Sequence, residues 1–244
     1  MFHYPSSRWA AFGIHLAISF VIFFLLAALI VFWWYPGFLF QTDGGWQGIR
    51  VIAGIDLILG PLLTLIVYNR QKKSLRFDLS CIAVVQIVAL AYGTTLVYQE
   101  RPLAVVFADN SFVTMSPNSF NFHAIDYRAI DVINSNPGPV WIYVEKNESA
   151  AQLSSVEYFK RFGPPHLHVA GYRPLNKWLD QVGARGLREI EIDGQTLSTP
   201  TENARFYPLL TRYYEGYLLL NSTDGTVLDV HVTQPTSDYG VDVQ

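Results

Sequence analysis

Three long apolar runs near the N-terminus constrain this chain more than any other feature of its sequence. They lie at about residues 9–34, 49–68 and 79–98. Each is near or above the roughly 20 residues that an α-helix needs to cross the hydrocarbon of a bilayer. Aromatic side chains, which favour the headgroup layer, stand at the ends of the runs: Trp9, Trp33, Trp34, Tyr35, Tyr68 and Tyr98. The pattern predicts three transmembrane helices within residues 1–98.

Residues 99–244 have a different composition and predict a soluble domain. All but three of the 20 Asp and Glu residues lie in this part of the chain. Stretches typical of strands and helices are mixed there without strict β–α–β order. The signals are hairpins through Asp109-Asn110 and Asp224-Gly225, strands over 140–146 and 187–194, and helices over 150–163 and 173–186. We therefore expect a membrane protein with three N-terminal transmembrane α-helices followed by a soluble α+β domain.

The basic residues around the apolar runs predict the orientation in the membrane. Arg8 precedes the first run, and no Lys or Arg lies between the first run and Arg50. The loop between the second and third runs contains Arg70, Lys72, Lys73 and Arg76. Cytoplasmic loops are enriched in Lys and Arg, so the N-terminus and the 69–78 loop are expected in the cytoplasm. Residues 99–244 are then expected on the far side, which is the periplasm in a bacterium with two membranes.

Asp56 lies inside the second apolar run, where a carboxylate is unfavourable. A charged residue at the centre of a membrane helix costs about 2.5–3.5 kcal/mol on insertion scales. Its side chain is therefore expected to face other helices. The antiparallel third run offers hydroxyl donors at a similar depth on Tyr92, Thr94 and Thr95. Asp56 either fixes the packing of the second and third helices from inside the protein or contacts a membrane helix of another protein. A proton or ion relay is a third alternative, but the apolar runs contain no second acid to which a proton could pass.

Small and helix-breaking residues surround Asp56 in the sequence. Gly54 and Gly60 would allow another helix to approach closely, and Pro61 removes a backbone hydrogen bond and favours a kink. If the second explanation holds, Gly54, Asp56, Gly60 and Pro61 form a candidate groove for a partner helix.

No motif in the sequence assembles a catalytic site. Cys-x-x-Cys, His-Glu-x-x-His, a P-loop lysine and Gly-x-Ser-x-Gly are missing from it. A single cysteine, Cys81, excludes a disulfide within the chain. His166 and His168 could form half of a metal site, but the sequence does not bring His123 or His231 to them. The sequence contains no basic stripe, so nucleic acid is not expected as a partner. We expect a protein that is not an enzyme and has no cofactor.

Four stretches of the sequence resemble a known protein family. They are "GGWQGIRVIAGIDLILGPLLTLIVYN", "KKSLRFDLS", "ALAYG" and the Gln-Glu-Arg-Pro segment that follows the third apolar run. They resemble type IV pilin accessory proteins of the TfpX/TfpZ (FimB-like) family over roughly residues 44–107. The resemblance implies an inner-membrane, non-catalytic, chaperone-like protein of Gram-negative bacteria without a cofactor. It would support the levels of a cognate type IV major pilin, pilus assembly, or the balance of extension and retraction. Other inner-membrane proteins of pilus assembly would be further partners.

Two alternatives to a pilin-binding accessory protein stay open. The soluble domain could belong to a periplasmic ligand-binding sensor or scaffold anchored in the inner membrane, although the short cytoplasmic segments leave little room for an output domain. A metal-dependent membrane enzyme built on His166 and His168 is the other alternative. Metal content would identify the enzyme, and adjacency to a pilin gene would separate the accessory protein from the sensor.

Overall fold

The structure, a computed structural model, describes residues 5–130, 133, 138–146 and 154–235. The chain divides into two compact units. One contains Met1–Phe40 and Gly44–Gln99, and the other contains Gln41–Asp43 and Glu100–Gln244. The sequence predicts that the transmembrane region ends at residue 98, one residue before the end of the first unit at Gln99. The assignment of Gln41–Asp43 to the second unit has no counterpart in the sequence analysis.

The first unit is built from three long helices: α1 (Arg8–Trp34), α2 (Gly45–Val67) and α3 (Leu75–Glu100). Each is long and apolar enough to cross a membrane, which confirms the prediction of three such helices. Large apolar side chains such as Phe24, Ile66 and Ile87 are exposed on their outer surfaces, as expected for surfaces that face lipid. A one-turn helix, Leu39–Thr42, lies between α1 and α2.

The π-helical turns in α1 and α2 have different surroundings. In α1 the π turn Ile30–Trp34 closes the helix. In α2 the π turn Gly54–Leu59 lies in the middle and comes just before Pro61. In a regular α-helix the ring of Pro61 would collide with the carbonyl of Leu57. A π turn widens the backbone at this point, so the disturbance expected from Pro61 takes the form of a π turn that contains Asp56.

The second unit is a mixed seven-stranded sheet with the strand order β4-β3-β1-β2-β7-β8-β9. The strands β1 and β3 are parallel, as are β2 and β7, and the other neighbours are antiparallel. A separate hairpin joins β5 and β6. The strands are β1 (Ala104–Ala108), β2 (Ser111–Met115), β3 (Val140–Val144), β4 (Tyr172–Pro174), β5 (Glu189–Ile192), β6 (Gln195–Ser198), β7 (Ala204–Leu210), β8 (Tyr214–Asn221) and β9 (Val227–Pro235). The helices are α4 (Pro117–Phe122), α5 (Ser155–Phe162) and α6 (Leu179–Gly183). The α+β class is confirmed.

The core of this unit centres on β1, which is buried along its whole length. On one face, Phe107 packs against Phe112 and Tyr207, with ring centroids 4.9 and 5.6 Å away. On the other face, Val106 belongs to a cluster with Phe120, which is fully buried. Aromatic pairs with this spacing contribute roughly 0.5–1.5 kcal/mol beyond their buried area. The sheet is therefore packed on both faces around its central strand.

The hairpins predicted at Asp109-Asn110 and Asp224-Gly225 are present, as is the strand over 140–146. Asp109 and Asn110 both have positive φ, which a two-residue turn of type I′ requires. The helix predicted over 173–186 is wrong: the segment contains the end of β4, a 3₁₀ turn and the short α6. Pro174 pairs with Ile142 at the sheet edge, where a proline is tolerated.

The helix predicted over 150–163 is observed as α5, and residues 150–153 lie outside the described ranges. A capping box formed by Ser154 and Glu157 begins α5, and Gly163 follows it with φ 79°. The strand predicted over 187–194 is present as β5. The strands β6 and β7 were not predicted.

Asp43, in the loop between α1 and α2, is buried inside the second unit at 4% exposure. Its carboxylate accepts hydrogen bonds from the hydroxyls of Thr42 and Thr114 and from the backbone N–H of Arg212. The carbonyl of Thr42 accepts a further bond from the Thr211 hydroxyl at 3.1 Å. Burial raises the pKa of Asp43, and the bonds from Thr114, Thr42 and Arg212 offset only part of this effect. The carboxylate organises donors that lie far apart in the sequence.

We expect Asp43→Asn to be at least as stable as the native protein at neutral pH and Asp43→Ala to be destabilised by about 1–3 kcal/mol. The amide keeps an acceptor for Thr114, whereas alanine leaves buried donors unbonded. Because the folded-state pKa is raised, the contribution of Asp43 is fully present below its unfolded pKa and is lost as pH rises through the folded pKa. The urea midpoint of the soluble unit in the full chain would report both effects, from pH 3 to pH 7. Equal destabilisation by Asn and Ala at pH 7 would show that the charge itself is needed.

Candidate functional site in the helix bundle

Polar side chains from all three helices meet inside the apolar bundle. Asp56 and Ser19 are each 1% exposed and Thr64 is 4% exposed. The Ser19 hydroxyl donates to Asp56 Oδ1 at 3.1 Å, and the Gln86 amide donates to the same oxygen at 2.7 Å. His15 Nδ1 lies 2.6 Å from Thr64 Oγ1. We call His15, Ser19, Asp56, Thr64 and Gln86 the polar seam, since they join α1 to α2 and α2 to α3.

The hydrogen-bond donors predicted for Asp56 were wrong. Tyr92 is 67% exposed, and the Thr95 hydroxyl donates to the carbonyl of Ala91 in its own helix. Thr94 likewise makes no bond to Asp56, whose donors in the described chain come from Ser19 and Gln86. A similar depth along the helices predicted hydroxyl donors, but the longer side chain of Gln86 reaches along the bundle to Asp56.

Gln86 reaches Asp56 because Gly60 has no side chain. A Cβ at residue 60 would lie 2.2 Å from Gln86 Oε1 and 2.5 Å from Gln86 Nε2. Gln86 therefore passes α2 at the level of Gly60 and donates to Asp56, which lies one turn away. Gly60 provides a slot for a side chain of the same protein.

The four residues of the candidate groove have different environments. Asp56, Gly60 and Pro61 are buried within the bundle, whereas a Cβ at Gly54 would meet nothing within 4 Å. Asp56 Oδ2 is buried and has no hydrogen-bond partner in the described part of the chain. The contacts support the explanation in which Asp56 fixes helix packing from inside. Recognition of a partner helix at this site stays a prediction.

The basic residues of the loop between α2 and α3 are exposed: Arg70, Lys72, Lys73 and Arg76. Lys72 forms an ion pair with Asp78 in the first turn of α3, with 2.5 Å between Nζ and Oδ2. An exposed pair of this kind contributes little to stability. The loop therefore keeps a net positive charge beside the ends of two membrane-length helices.

Two of the histidines considered as metal ligands, His168 and His231, have other contacts in the soluble unit. His168 Nε2 lies 2.5 Å from the carbonyl of Phe162, which can only accept, so Nδ1 accepts from the Tyr158 hydroxyl at 2.6 Å. Both ring nitrogens of His168 are thus occupied. Within the described ranges, no three His, Cys, Asp or Glu side chains are grouped to hold a metal ion. His231 instead packs against Phe206.

His166 is the histidine whose titration the fold changes most clearly. Burial, followed by the nearby His123 and His168, lowers the pKa of His166 from 6.5 to about 4. His123 follows α4, and His166 lies in a 3₁₀ turn after α5. Leu167, next to His166, packs against the core cluster that contains Phe120 of α4, so the fold brings the ends of these two helices to one region.

Comparison with curated proteins finds relatives in Dichelobacter nodosus. The chain is 42% identical over 106 residues to the fimbrial assembly protein of serogroups C1 and C2, a match that covers 43% of this chain and 81% of that protein. The chain belongs to the family of fimbrial assembly proteins. The serogroup E1 member is also 42% identical over 106 residues, and the serogroup I member is 43% identical over 97 residues.

The match to the longer members of the family is partial. It spans 41% of the serogroup E1 protein and 38% of the serogroup I protein, and no more than 43% of this chain. No family model matches the chain. No solved structure matches it either.

We expect Gly60→Ala to destabilise the helix bundle by about 1–3 kcal/mol, because displaced Gln86 loses its hydrogen bond to the buried carboxylate of Asp56. Gly54→Ala is the matched control: it makes the same change in the same π turn region, where the new methyl group meets nothing. The midpoint of SDS-induced unfolding of the full chain would measure both variants. In a Gln86→Ala background, Gly60→Ala should lose most of its effect. An unchanged effect in that background would contradict the role of Gly60 as a slot for Gln86.

We expect the soluble unit to lose stability as pH falls from about 6.5 to 4. The folded-state pKa of His166 is lowered, so its contribution is present above the unfolded pKa and is lost as pH falls toward the folded pKa. Over this window the loss is on the order of 3 kcal/mol. His166→Gln should flatten the pH dependence of the urea midpoint, and His231→Gln should leave it steep. Equal slopes for His166→Gln and the native chain would contradict this assignment.

Proposed function

We propose that this protein acts in fimbrial biogenesis as a non-catalytic, chaperone-like partner of a cognate type IV major pilin. The observation that carries the proposal is the 42% identity to a curated fimbrial assembly protein of which the match covers 81%. The resemblance to the TfpX/TfpZ (FimB-like) family gives the finer assignment. Pilin levels, pilus assembly and the balance of extension and retraction are the processes it would support.

The protein is proposed to reside in the bacterial inner membrane, with the soluble unit in the periplasm. The three helices of membrane length support a membrane location. The exposed basic residues between α2 and α3 support a cytoplasmic loop at that end of the bundle. The soluble unit begins after the opposite end of α3, which would place it across the membrane from this loop.

Binding without catalysis is proposed from the resemblance, and it is supported by the hydrogen bonds that Asp56 Oδ1 and His168 already make within the chain. Asp56 accepts two bonds through Oδ1, and both nitrogens of His168 have partners. The three-helix unit and the unit that contains the seven-stranded sheet each offer a surface to which pilin could bind. Other inner-membrane proteins of pilus assembly are proposed as additional contacts.

The test of function is deletion of the gene in a bacterium that makes the cognate pilin. We expect surface fimbriae or cellular pilin to fall, and the native chain to restore them and to co-purify with pilin. Asp56→Asn should restore them equally, because the amide keeps the Oδ1 acceptor. Asp56→Leu should lower the level of the protein itself, because Ser19 and Gln86 lose their acceptor.

Each alternative outcome has a definite meaning. Unchanged fimbriae and pilin after deletion would favour a periplasmic sensor or scaffold over a pilin partner. If Asp56→Asn is made at a normal level but no longer associates with pilin, Asp56 contacts the partner and its role is not confined to helix packing.

The proposed orientation can be measured by cysteine labelling in a Cys81→Ser background. A cysteine at Thr223, in an exposed turn of the soluble unit, should react with a membrane-impermeant maleimide in cells whose outer membrane has been opened. A cysteine at Asn69, in the basic loop, should react only after the inner membrane is broken. The opposite pattern would reverse the proposed topology.

A further inference from the structure

The helix α5 exposes three large apolar side chains to solvent. Val156, Phe159 and Phe162 are 63%, 57% and 41% exposed, whereas Tyr158 on the same helix is 4% exposed. Val156, Phe159 and Phe162 follow each other at intervals of three residues and share one side of the helix. We call these three residues the apolar face of α5. Large apolar side chains clustered on a water-facing domain mark an interaction surface.

The helix that carries this face is fixed at both ends. Ser154 and Glu157 form a capping box at its start. At its end, His168 bonds to the carbonyl of Phe162 and to the Tyr158 hydroxyl. The apolar face is thus presented by an ordered element whose buried side is already occupied.

The net charge of α5 is positive, because Lys160 and Arg161 outnumber Glu157. Lys160 and Arg161 lie in its last turn, and no carboxylate in the described ranges forms an ion pair with either residue. Arg161 lies over the Phe162 ring, with 5.4 Å from Cζ to the ring centroid. The carboxylate of Glu157 is held by Ser154 at the cap. Two cations therefore flank the apolar face on a domain in which acids outnumber bases.

The connection between the soluble unit and the membrane-length helix α3 is short. The membrane-length helix α3 ends at Glu100, and β1 begins at Ala104. Four residue steps of extended chain span at most about 14 Å. A tether this short gives any weak membrane contact of the soluble unit a high effective concentration.

We propose that α5 binds the surface of the membrane in which the protein is anchored, with Val156, Phe159 and Phe162 in the interfacial layer and Lys160 and Arg161 at anionic headgroups. Aromatic and aliphatic residues beside Lys and Arg are the composition of helices that lie in this layer. Each basic residue near an anionic surface adds attraction that falls with salt. This inference does not depend on the proposed role with pilin.

The test uses the full chain in nanodiscs, with Cys81→Ser and a single environment-sensitive label at Phe159→Cys. The control carries the label at Thr223→Cys, in the turn between β8 and β9. In nanodiscs of phosphatidylglycerol and phosphatidylcholine, brominated acyl chains should quench the label at residue 159 at least threefold more than the label at residue 223. Lys160→Glu with Arg161→Glu should reduce this difference, as should nanodiscs of phosphatidylcholine alone.

Equal quenching of the two labels in anionic nanodiscs would overturn the proposal. A second measurement uses a photoreactive amino acid at residue 159 in membranes of cells that make the cognate pilin. Crosslinking to phospholipid supports the proposal. Crosslinking to pilin or to another protein, with no lipid adduct, would show that a protein covers this surface and would also overturn it.

Discussion

The carboxylate of Asp56 must be accommodated at the middle of three apolar helices, and much of the bundle follows from that constraint. Because α2 begins at Gly45, Asp56 lies about 16 Å along the helix axis, near the centre of a 30 Å hydrocarbon layer. Donors from α1 and α3 converge on Oδ1. Asp56 lies in the π turn before Pro61, and Gly60 leaves room for Gln86. A single buried acid thereby fixes the mutual position of three helices that hydrophobicity alone would leave free to rotate.

A second buried acid plays a comparable part in the soluble unit. Asp43 belongs to the loop between two membrane-length helices, yet its partners are Thr114 and Arg212. Hydrogen bonds to a buried carboxylate are strong and directional, so this short segment is held in one conformation. In both units a carboxylate gathers donors that lie far apart in the sequence, and these hydrogen bonds offset part of the cost of its burial.

Local patterns in the sequence predict the elements of this fold better than they predict its contacts. The apolar helices follow from run length, and the hairpin at Asp109-Asn110 follows from residues that tolerate positive φ. The strand β7 was missed because it contains Pro208, and a proline within an apolar run argues against a strand. Gln86 was missed because its partner depends on a slot at residue 60, which only the packed bundle reveals. The same limit applies to Asp43, whose donors lie 71 and 169 residues away.

The slot at Gly60 also limits how this chain can vary. Any side chain at residue 60 would occupy the space through which Gln86 reaches Asp56. A larger residue is acceptable there only if residue 86 becomes smaller and Asp56 is supplied by another donor or is itself replaced. Substitutions at residues 56, 60 and 86 of this chain are therefore coupled, because the hydrogen bond from Gln86 to Asp56 passes beside residue 60.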